Sequence, residues 1–343
     1  MIKKMMKKTY FLGFLFSFLL FQSCGYFYKS KSLVKEKAFL YIPENATYQS
    51  VLDSLAPHLE NINQFDAYAR TQDYDKNVKS GKYELKPEMS NEELVNVLKS
   101  GKQSEVKIRI PNSPTIFHLA RDASKNITAD SASIVEAILN NPRVKENGLD
   151  METAKIYFIP DTYNFFWITS GKDFVDRMLK EHDKFWNDKR KQQLKDSGMT
   201  ELEVYTLASI VQMESPKPDE QARVAGAYLN RLKQGKKLEA DPTSVYAYKL
   251  QHGFTQKVQR VYQKHLKTLS AYNTYLNYGL PPAPICLPNT TAIDAVLKPE
   301  KHDYIFFCAD PDRPGYHNFT NSYAEHQKNA AKYRQWLKKN NIK

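Results

Sequence analysis

The longest apolar stretch of the chain lies close to its amino terminus. Residues 9–28 contain no charged side chain, and the residues before them carry four lysines and no acid. About twenty apolar residues in a helix span the roughly 30 Å hydrocarbon core of a bilayer. Lysines that precede such a span favour the cytoplasmic side. The pattern therefore predicts a cytoplasmic tail at residues 1–8, a transmembrane anchor at residues 9–28 and a body outside the cytoplasm.

Cys24 leaves two further interpretations of the same segment open. A short basic region, an apolar run and the sequence Ser23-Cys24-Gly25 also describe a lipoprotein signal, although Phe21 and Gln22 stand where small or aliphatic residues are expected. A cleaved secretory signal is the third interpretation. In all three interpretations the body of the protein lies outside the cytoplasm.

A second pattern occurs three times in the following part of the chain. A short apolar strand leads into proline, then into serine or threonine, then into apolar residues at helical spacing, at residues 39–55, 83–98 and 106–119. Proline ends each strand because it cannot donate to the hydrogen-bond ladder. Serine or threonine then caps the helix, and Ser90 with Glu93 forms a capping box. The uneven spacing of the copies predicts a small α+β region and argues against a solenoid.

Beyond residue 122 the pattern is mostly helical. Residues 273–291 are rich in Pro, Asn and Gly, which predicts a loop, and residues 304–308 predict a buried strand. The fold class that follows is α+β, with a small α+β region before a larger mixed α/β domain. Helices are predicted at residues 173–196, 201–214, 219–234 and 322–339.

Charge adds a constraint on the partners of the protein. The 343 residues carry a net charge of +12, which alone favours nucleic acid or an anionic membrane surface. Residues 1–35 contribute +7 and residues 327–343 contribute +6, which leaves residues 36–326 at −1. The body is therefore close to neutral, and we expect no nucleic-acid partner. Three cysteines without metal-ligand spacing predict no disulfide scaffold and no metal site, and no cofactor is expected.

The strongest candidate for chemistry is the segment that ends in Glu214. Its apolar residues have helical spacing, and Pro216 and Pro218 end the helix there. A carboxylate at the negative end of a helix dipole and beside apolar neighbours has a raised pKa. A general acid near neutral pH requires such a pKa. The alternative is an ordinary solvated glutamate at a helix end.

A series of ordered motifs surrounds Glu214. With them, the chain resembles the endolytic murein transglycosylases, the MltG/YceG-like family, over residues 36–340. The resemblance implies a single membrane anchor, a LysM-like region at residues 36–105 and a catalytic domain at residues 106–343. The motifs that carry it are Pro160-Asp161-Thr162-Tyr163, Leu207-Ala208-Ser209-Ile210-Val211-x-x-Glu214, Val224-Ala225-Gly226-x-Tyr228-Leu229-Asn230-Arg231-Leu232, Leu238-x-Ala240-Asp241-Pro242-Thr243, Tyr272-Asn273-Thr274-Tyr275, Gly279-Leu280-Pro281-Pro282 and His317-x-Phe319.

The resemblance implies cleavage of the β-1,4 bond between N-acetylmuramic acid and N-acetylglucosamine in nascent peptidoglycan strands. Glu214 would protonate the glycosidic oxygen as an acid. As a base it would then take a proton from the C6 hydroxyl of muramic acid, which attacks C1 and leaves a 1,6-anhydro end. The family also implies a single-pass protein of the bacterial inner membrane, in contact with the cell-wall synthesis machinery. Lipid attachment at Cys24 is the minor alternative.

Two positions depart from the family. Gln212 stands where many members have a second Glu, which leaves Glu214 as the acid of that motif and leaves open whether Gln212 lowers activity. Ala271 replaces the Pro that usually precedes Tyr-Asn-Thr-Tyr, so the loop is expected to be less rigid.

Nine further residues are candidates for binding the substrate because they fall in the motifs of the family. Several have a structural alternative. Asp241 before Pro242 suits a helix N-cap, as does Asp219 for the preceding helix, and Asn230 suits a buried amide that bonds the backbone. The motif around Asp161 can simply shape a turn, and the loop aromatics can simply pack. The nine candidates are Asn230, Asp241, Thr243, Tyr272, Asn273, Tyr275, Asp161, Tyr163 and His317.

Three other functions remain open at this point. A non-catalytic peptidoglycan-binding protein would use the LysM-like region alone. A nucleic-acid binder is suggested by the basic pI and opposed by the export signal. A hydrolysing muramidase would need a second carboxylate at about 5–9.5 Å from the first.

Overall fold

The computed structural model describes residues 33–340. Within that range no helix is long and apolar enough to cross a membrane. The predicted tail, the predicted anchor at residues 9–28 and Cys24 lie outside the described residues, so the anchor stays a prediction. The described chain divides into two compact units. The smaller unit comprises residues 33–107, 126–128 and 164–169, and the larger unit comprises residues 108–125, 129–163 and 170–340.

The smaller unit packs helices on a pair of antiparallel strands. β1 (Ala38–Ile42) pairs with β2 (Gly81–Leu85), and Leu40 lies opposite Tyr83. Both of these side chains are buried, since alternate residues of each strand face the core. The helices of this unit are α1 (Tyr48–Leu55), α2 (Ile62–Thr71) and α3 (Asn91–Ser100).

The predicted succession of strand, proline and capped helix is confirmed at all three copies. Thr47, Ser90 and Thr115 each accept a hydrogen bond from the backbone N–H three residues further on. Ser90 and Glu93 form the complete capping box. Each cap satisfies a backbone donor that the first turn of a helix leaves without a partner.

Helices make up most of the larger unit. Two further two-stranded sheets occur along the chain, β3 (Glu105–Arg109) with β4 (Thr162–Phe166) and β5 (Phe306–Ala309) with β6 (His317–Thr320). The α+β fold class is confirmed, since small sheets accompany many helices. The remaining described helices are α4 (Ile116–Ala123), α5 (Ser131–Asn140), α6 (Pro142–Glu146), α7 (Gly171–Phe185), α8 (Asp188–Ser197), α9 (Glu201–Glu214), α10 (Pro218–Lys233), α11 (Asp241–His252), α12 (Gln263–Leu266), α13 (Thr290–Leu297) and α14 (Tyr323–Lys339).

The single helix predicted at residues 173–196 is wrong. α7 ends at Phe185 and α8 begins at Asp188. Asn187 between them has an extended backbone, and its side chain caps α8 by accepting a hydrogen bond from the N–H of Arg190. An asparagine inside a helical pattern can cap a new helix, and here capping prevails over continuation.

Two other predicted boundaries also shift. The strand predicted at residues 304–308 begins only at Phe306, and it is half-buried because β5 and β6 form a two-stranded sheet of their own. The loop predicted at residues 273–291 gives way to α13 at Thr290.

α10 approaches the segment after α13 so closely that Gly226 has no room for a side chain. A Cβ atom at this position would lie 2.6 Å from the carbonyl oxygen of Glu300 and 2.7 Å from the ring of His302. The N–H of Glu300 also donates a 3.0 Å hydrogen bond to the carbonyl oxygen of Ala222 on α10. The glycine is therefore required by close packing.

Gly226→Ala is expected to lower the free energy of unfolding by about 1–3 kcal/mol, because the added methyl group overpacks this contact. Denaturant titration measures the loss. Lys233→Ala, at an exposed position of the same helix, should stay within about 0.5 kcal/mol of the wild type. Equal effects of the two substitutions would show that the contact at Gly226 does not matter.

Candidate active site

Glu214 is the last residue of a helix that is buried on nearly all sides. Every residue of α9 from 204 to 211 is buried. Ser215 has an extended backbone and Pro216 follows it, so the helix cannot continue. The predicted position of Glu214 at the end of the helix is confirmed. Its half-buried side chain faces a cleft.

The cleft in front of Glu214 has a volume of about 540 Å³. Its walls are mostly apolar and come from α9, α11 and the loop before α13. A concave, mostly apolar site with a few convergent polar groups is the usual form of a ligand-binding site. Besides Glu214, its polar lining side chains are Asn112, His118, Asp241, Tyr246 and Lys249.

Burial of the Glu214 carboxyl group raises its pKa to about 7. The Tyr228 hydroxyl group on α10 opposes this shift, because it donates a 2.7 Å hydrogen bond to Glu214 Oε1. The negative charge of Asp241 raises the pKa further, whereas His317 and Arg231 lower it. At neutral pH the carboxyl group therefore populates both its neutral and its ionised form.

Two carboxylates that the sequence places at helix N-caps do not cap. α10 begins at Pro218 and α11 begins at Asp241, so Lys217 and Ala240 occupy the cap positions. Proline is well suited to the first helical positions, and this places Asp219 and Asp241 inside the first turn. The capping prediction is wrong for both residues.

Asp241 instead lines the cleft and accepts a 2.7 Å hydrogen bond from the Tyr275 hydroxyl group. Burial raises the pKa of Tyr275, and the bond to Asp241 acts in the same direction. Two carboxyl groups thus face the same cleft, and each is bound by a tyrosine. Sequence analysis did not single out Tyr228. A buried tyrosine usually needs a partner for its hydroxyl group, and this was the signal that could have found it.

Thr243 and Asn273 hold the loop that carries Tyr275. Thr243 Oγ1 lies 2.8 Å from Thr274 Oγ1. The side-chain amide of Asn273 donates a 2.9 Å hydrogen bond to the carbonyl oxygen of Leu266. Both candidates are buried and neither lines the cleft. They position Tyr275 against Asp241.

Tyr272 belongs to a buried cluster behind the wall of the cleft. Glu152 Oε2 accepts hydrogen bonds from Lys155 at 2.7 Å, from Tyr246 at 2.8 Å and from Tyr272 at 3.2 Å. Burial lowers the pKa of Lys155, whereas the charge of Glu152 acts to raise it. Sequence analysis missed Glu152 and Lys155, because the chain brings them to Tyr246 from more than 90 residues away.

Asn230 and His317 connect α10 to the last two strands. The Asn230 amide donates hydrogen bonds to the carbonyl oxygens of His302 at 2.8 Å and Tyr304 at 3.0 Å. His317 Nδ1 lies 2.8 Å from Glu220 Oε2, and the His317 backbone N–H donates to Glu220 Oε1 at 2.7 Å. Neither candidate lines the cleft, although His317 is close enough to lower the pKa of Glu214.

Asp161 and Tyr163 shape the chain at the start of β4. Asp161 Oδ1 accepts a 2.7 Å hydrogen bond from the N–H of Thr162. The buried hydroxyl group of Tyr163 donates a 2.8 Å hydrogen bond to the carbonyl oxygen of Ile159. Neither side chain lines the cleft. The turn-forming alternative therefore describes their contacts.

Three of the charged, amide or imidazole side chains that line the cleft were absent from the sequence-based candidates. Asn112, His118 and Lys249 bring an amide, an imidazole and an ammonium group to the cleft. Burial lowers the pKa of His118, so its ring is neutral at pH 7. These groups are suited to the hydroxyl and N-acetyl groups of a sugar. Among residues 33–340, no group of three or more His, Cys, Asp and Glu side chains is arranged to hold a metal ion.

The sequence matches the model of one known protein family. The model of the YceG-like family matches residues 40–332, which is most of the sequence. The chain belongs to the YceG-like family.

Curated and solved relatives agree with this assignment. This YceG-like chain is 27% identical over 366 residues to the endolytic murein transglycosylase of Streptococcus pneumoniae, covering 95% of this chain and 65% of that protein. It is 33% identical over 178 residues to the endolytic murein transglycosylase of Bacillus subtilis, covering 52% and 47%. The chain thus spans less than two thirds of the length of either relative. The crystal structure of a YceG-like protein from Listeria monocytogenes matches with a TM-score of 0.56 at 26% identity, covering 86% of this chain and 99% of that one.

Gln212 has a structural contact in this YceG-like chain. Its side-chain Oε1 accepts a 3.3 Å hydrogen bond from the backbone N–H of Asn289, just before α13. The side chain does not line the cleft.

Glu214→Gln should make the protein more stable at high pH. The wild type loses free energy of unfolding as the pH rises from 4.5 to about 7, because the unfolded chain ionises this carboxyl group while the folded state resists. A glutamine at this position does not ionise, so the variant does not lose this free energy of unfolding. The difference in free energy of unfolding between the variant and the wild type should therefore be about 3 kcal/mol more favourable to the variant at about pH 8 than at about pH 4. Denaturant titrations at both pH values measure it. Glu136→Gln, at an exposed position, should show no such trend. A Glu214→Gln effect independent of pH would contradict the raised pKa.

Tyr228→Phe should raise the pKa of Glu214 above about 7, because the carboxylate loses its hydrogen-bond donor. The pH titration of the side-chain carboxyl carbon of Glu214 by NMR gives the value directly. Tyr275→Phe is the matched control, since its hydroxyl group binds Asp241 instead. An unchanged or lower pKa in Tyr228→Phe would show that this hydrogen bond does not stabilise the carboxylate.

Proposed function

We propose that this protein is a lytic transglycosylase that cuts within the glycan strands of peptidoglycan. The observation that carries the proposal is a carboxyl group with a pKa near 7 at the floor of a mostly apolar cleft. A group with this pKa can give up a proton and take one back at neutral pH. The endolytic murein transglycosylases of Streptococcus pneumoniae and Bacillus subtilis, which the chain resembles, support the choice of substrate.

The proposed reaction breaks the β-1,4 bond between N-acetylmuramic acid and N-acetylglucosamine. Neutral Glu214 gives its proton to the glycosidic oxygen as the bond from that oxygen to C1 of muramic acid breaks. The Glu214 carboxylate then takes the proton of the C6 hydroxyl group of the same muramic acid. The C6 oxygen attacks C1 and closes the 1,6-anhydro ring, so no water is consumed and Glu214 ends protonated as it began.

The contacts of Glu214 suit both halves of this cycle. The apolar walls of the cleft favour the neutral acid that starts the reaction. The Tyr228 hydroxyl group stabilises the carboxylate that exists after the first proton transfer, because it donates to Oε1. One carboxyl group is sufficient, since the nucleophile belongs to the substrate.

A hydrolysing muramidase is the second candidate, and Asp241 is the observation that favours it. Asp241 lines the same cleft as Glu214 and interacts with its charge. A retaining or inverting glycosidase uses a second carboxylate either as nucleophile or as base for a water molecule. The relatives named endolytic murein transglycosylase favour the transglycosylase, which needs Glu214 alone.

The proposal includes a location and a domain arrangement. The body would lie outside the bacterial inner membrane, held by residues 9–28, with lipid attachment at Cys24 as the minor alternative. Residues 36–105 would form the LysM-like region and residues 106–343 the catalytic domain. Nascent strands are the proposed substrate, and the cell-wall synthesis machinery is the proposed partner. A non-catalytic peptidoglycan-binding protein would share this arrangement without releasing products.

Glu214→Gln should reduce the release of 1,6-anhydro-muropeptides by about 10²–10⁴-fold, because no other group replaces its proton transfers. Mass spectrometry of the products released from purified peptidoglycan measures this. Absence of both anhydro ends and newly formed reducing ends with the wild type would leave the binding protein as the better description.

Asp241→Asn separates the transglycosylase from the hydrolase. A transglycosylase with Asp241→Asn should still make anhydro ends. As the pH rises, its activity should begin to fall at a lower pH than that of the wild type, because Asp241 no longer raises the pKa of Glu214. A hydrolase would release reducing ends, each heavier by one water, and would lose activity with Asp241→Asn. Reducing ends from the wild type would overturn the proposed reaction.

A further inference from the structure

One edge of the cleft continues into a stretch of chain without acidic residues. Residues 242–293 contain no Asp or Glu. Within residues 33–340, no carboxylate lies at ion-pair distance from any Lys or Arg of this stretch. These cations are Lys249, Lys257, Arg260, Lys264 and Lys267.

Three of these cations surround one recess. Lys257, Arg260 and Lys264 line a recess of about 220 Å³, which we call the cation recess. Tyr248 of α11 contributes a wall, and Lys264 Nζ lies 5.5 Å from the centre of its ring. Val258 lines both the cation recess and the cleft of Glu214. The recess therefore lies directly beside the cleft.

Some long cationic side chains of the larger unit are paired and others, such as the lysines of α8, have no ion pair within residues 33–340. The present cations differ from both because three of them line one recess. Arg190 binds Asp294, and Arg223 binds Glu300. Like charges in one recess repel one another, so a group without acidic partners costs free energy in the absence of a ligand. An anion of the substrate would offset this cost and would gain charge-assisted hydrogen bonds.

We propose that the cation recess binds carboxylates of the peptide stem on the strand that occupies the cleft. This inference rests on the proposed function, because it takes a peptidoglycan strand as the substrate. The sugars of that strand carry no net charge apart from the peptides on muramic acid, and those peptides bear free carboxylates. Because Val258 lines both the recess and the cleft, the recess is open to a stem carried by a sugar in the cleft.

The position of the recess favours peptide carboxylates over phosphate as the anion. The diphosphate of a lipid-linked strand occurs only at one end of the strand. An enzyme that cuts within strands meets a peptide at each repeat, whichever bond it selects. The recess should therefore make the protein select peptide-bearing strands over peptide-free strands.

The experiment compares two substrates and a triple variant. Lys257→Gln, Arg260→Gln and Lys264→Gln are combined in the full chain. The ratio kcat/KM is measured on glycan strands with stems and on strands stripped of stems by an amidase, with the lactyl carboxylates that the amidase exposes converted to amides so that they cannot replace those of the stem. The wild type should prefer peptide-bearing strands by roughly tenfold, since each solvated ion pair contributes a small factor. The triple variant should reduce this preference to about twofold or less.

A matched control keeps the change of net charge the same. Lys189→Gln, Lys191→Gln and Lys195→Gln remove three exposed cations of α8, which line neither the cleft nor the recess. This control should keep the wild-type preference. Conversion of Lys257 and Lys264 to Arg should also keep it, because the charge is retained. Added salt should weaken the preference, since the Debye length falls from about 10 Å at 0.1 M to about 3 Å at 1 M.

The outcomes separate this inference from the proposed function. If the wild type releases no anhydro products from either substrate, the proposed function itself is wrong. If the wild type cuts both substrates but the triple variant keeps the full preference, or loses activity equally on both, the recess does not bind stems. Strands that carry stems and end in a lipid diphosphate serve as a third substrate. A loss of activity in the triple variant that is confined to this substrate would assign the recess to phosphate and overturn the peptide assignment.

Discussion

The desolvation of one carboxyl group is the constraint around which the rest of the site is organised. Glu214 stands where a buried helix ends, and burial makes its ionisation costly. Without an opposing contact the pKa of Glu214 would be higher still, and a carboxyl group with a higher pKa is a weaker acid. The Tyr228 hydroxyl group limits the cost by donating to the carboxylate. The balance of the two effects leaves the pKa near neutrality, where one group can serve as acid and as base.

Most of the motif residues around Glu214 act by fixing backbone. Asn230 binds the two carbonyl groups that lead into β5. Thr243 and Asn273 tie α11 and its neighbouring loop together, which sets the Tyr275 hydroxyl group against Asp241. These polar side chains form short, directional hydrogen bonds with backbone groups. A loop held by such bonds keeps its conformation without belonging to a β-sheet. The cleft therefore has few chemical groups and many residues that support them.

Local patterns predicted the fold well where neighbours along the chain decide the structure. The caps at Thr47 and Ser90 and the end of α9 at Glu214 all depend on residues within a few positions. The break at Asn187 was missed because capping and helix continuation compete there, and only the packing decides. Glu152 and Lys155 were beyond reach for a different reason, since their partner Tyr246 is distant in sequence. The resemblance to a family singled out the motif that ends in Glu214, but it could not separate residues that line the cleft from residues that hold its loops.

Net charge conceals the electrostatic arrangement of the folded body. Residues 36–326 carry only −1, which by itself suggests a surface without preference for ions. The acid-free residues 242–293 nevertheless carry five cationic side chains, so the remainder of the body is clearly acidic. Where positive and negative side chains are segregated along the chain and do not form ion pairs, they produce separate regions of positive and negative surface potential. The cation recess adjoins the cleft that Glu214 lines, and Val258 lines both. A neutral sugar chain with anionic side branches matches this division, because its uncharged part suits the apolar cleft and its charged part suits the recess.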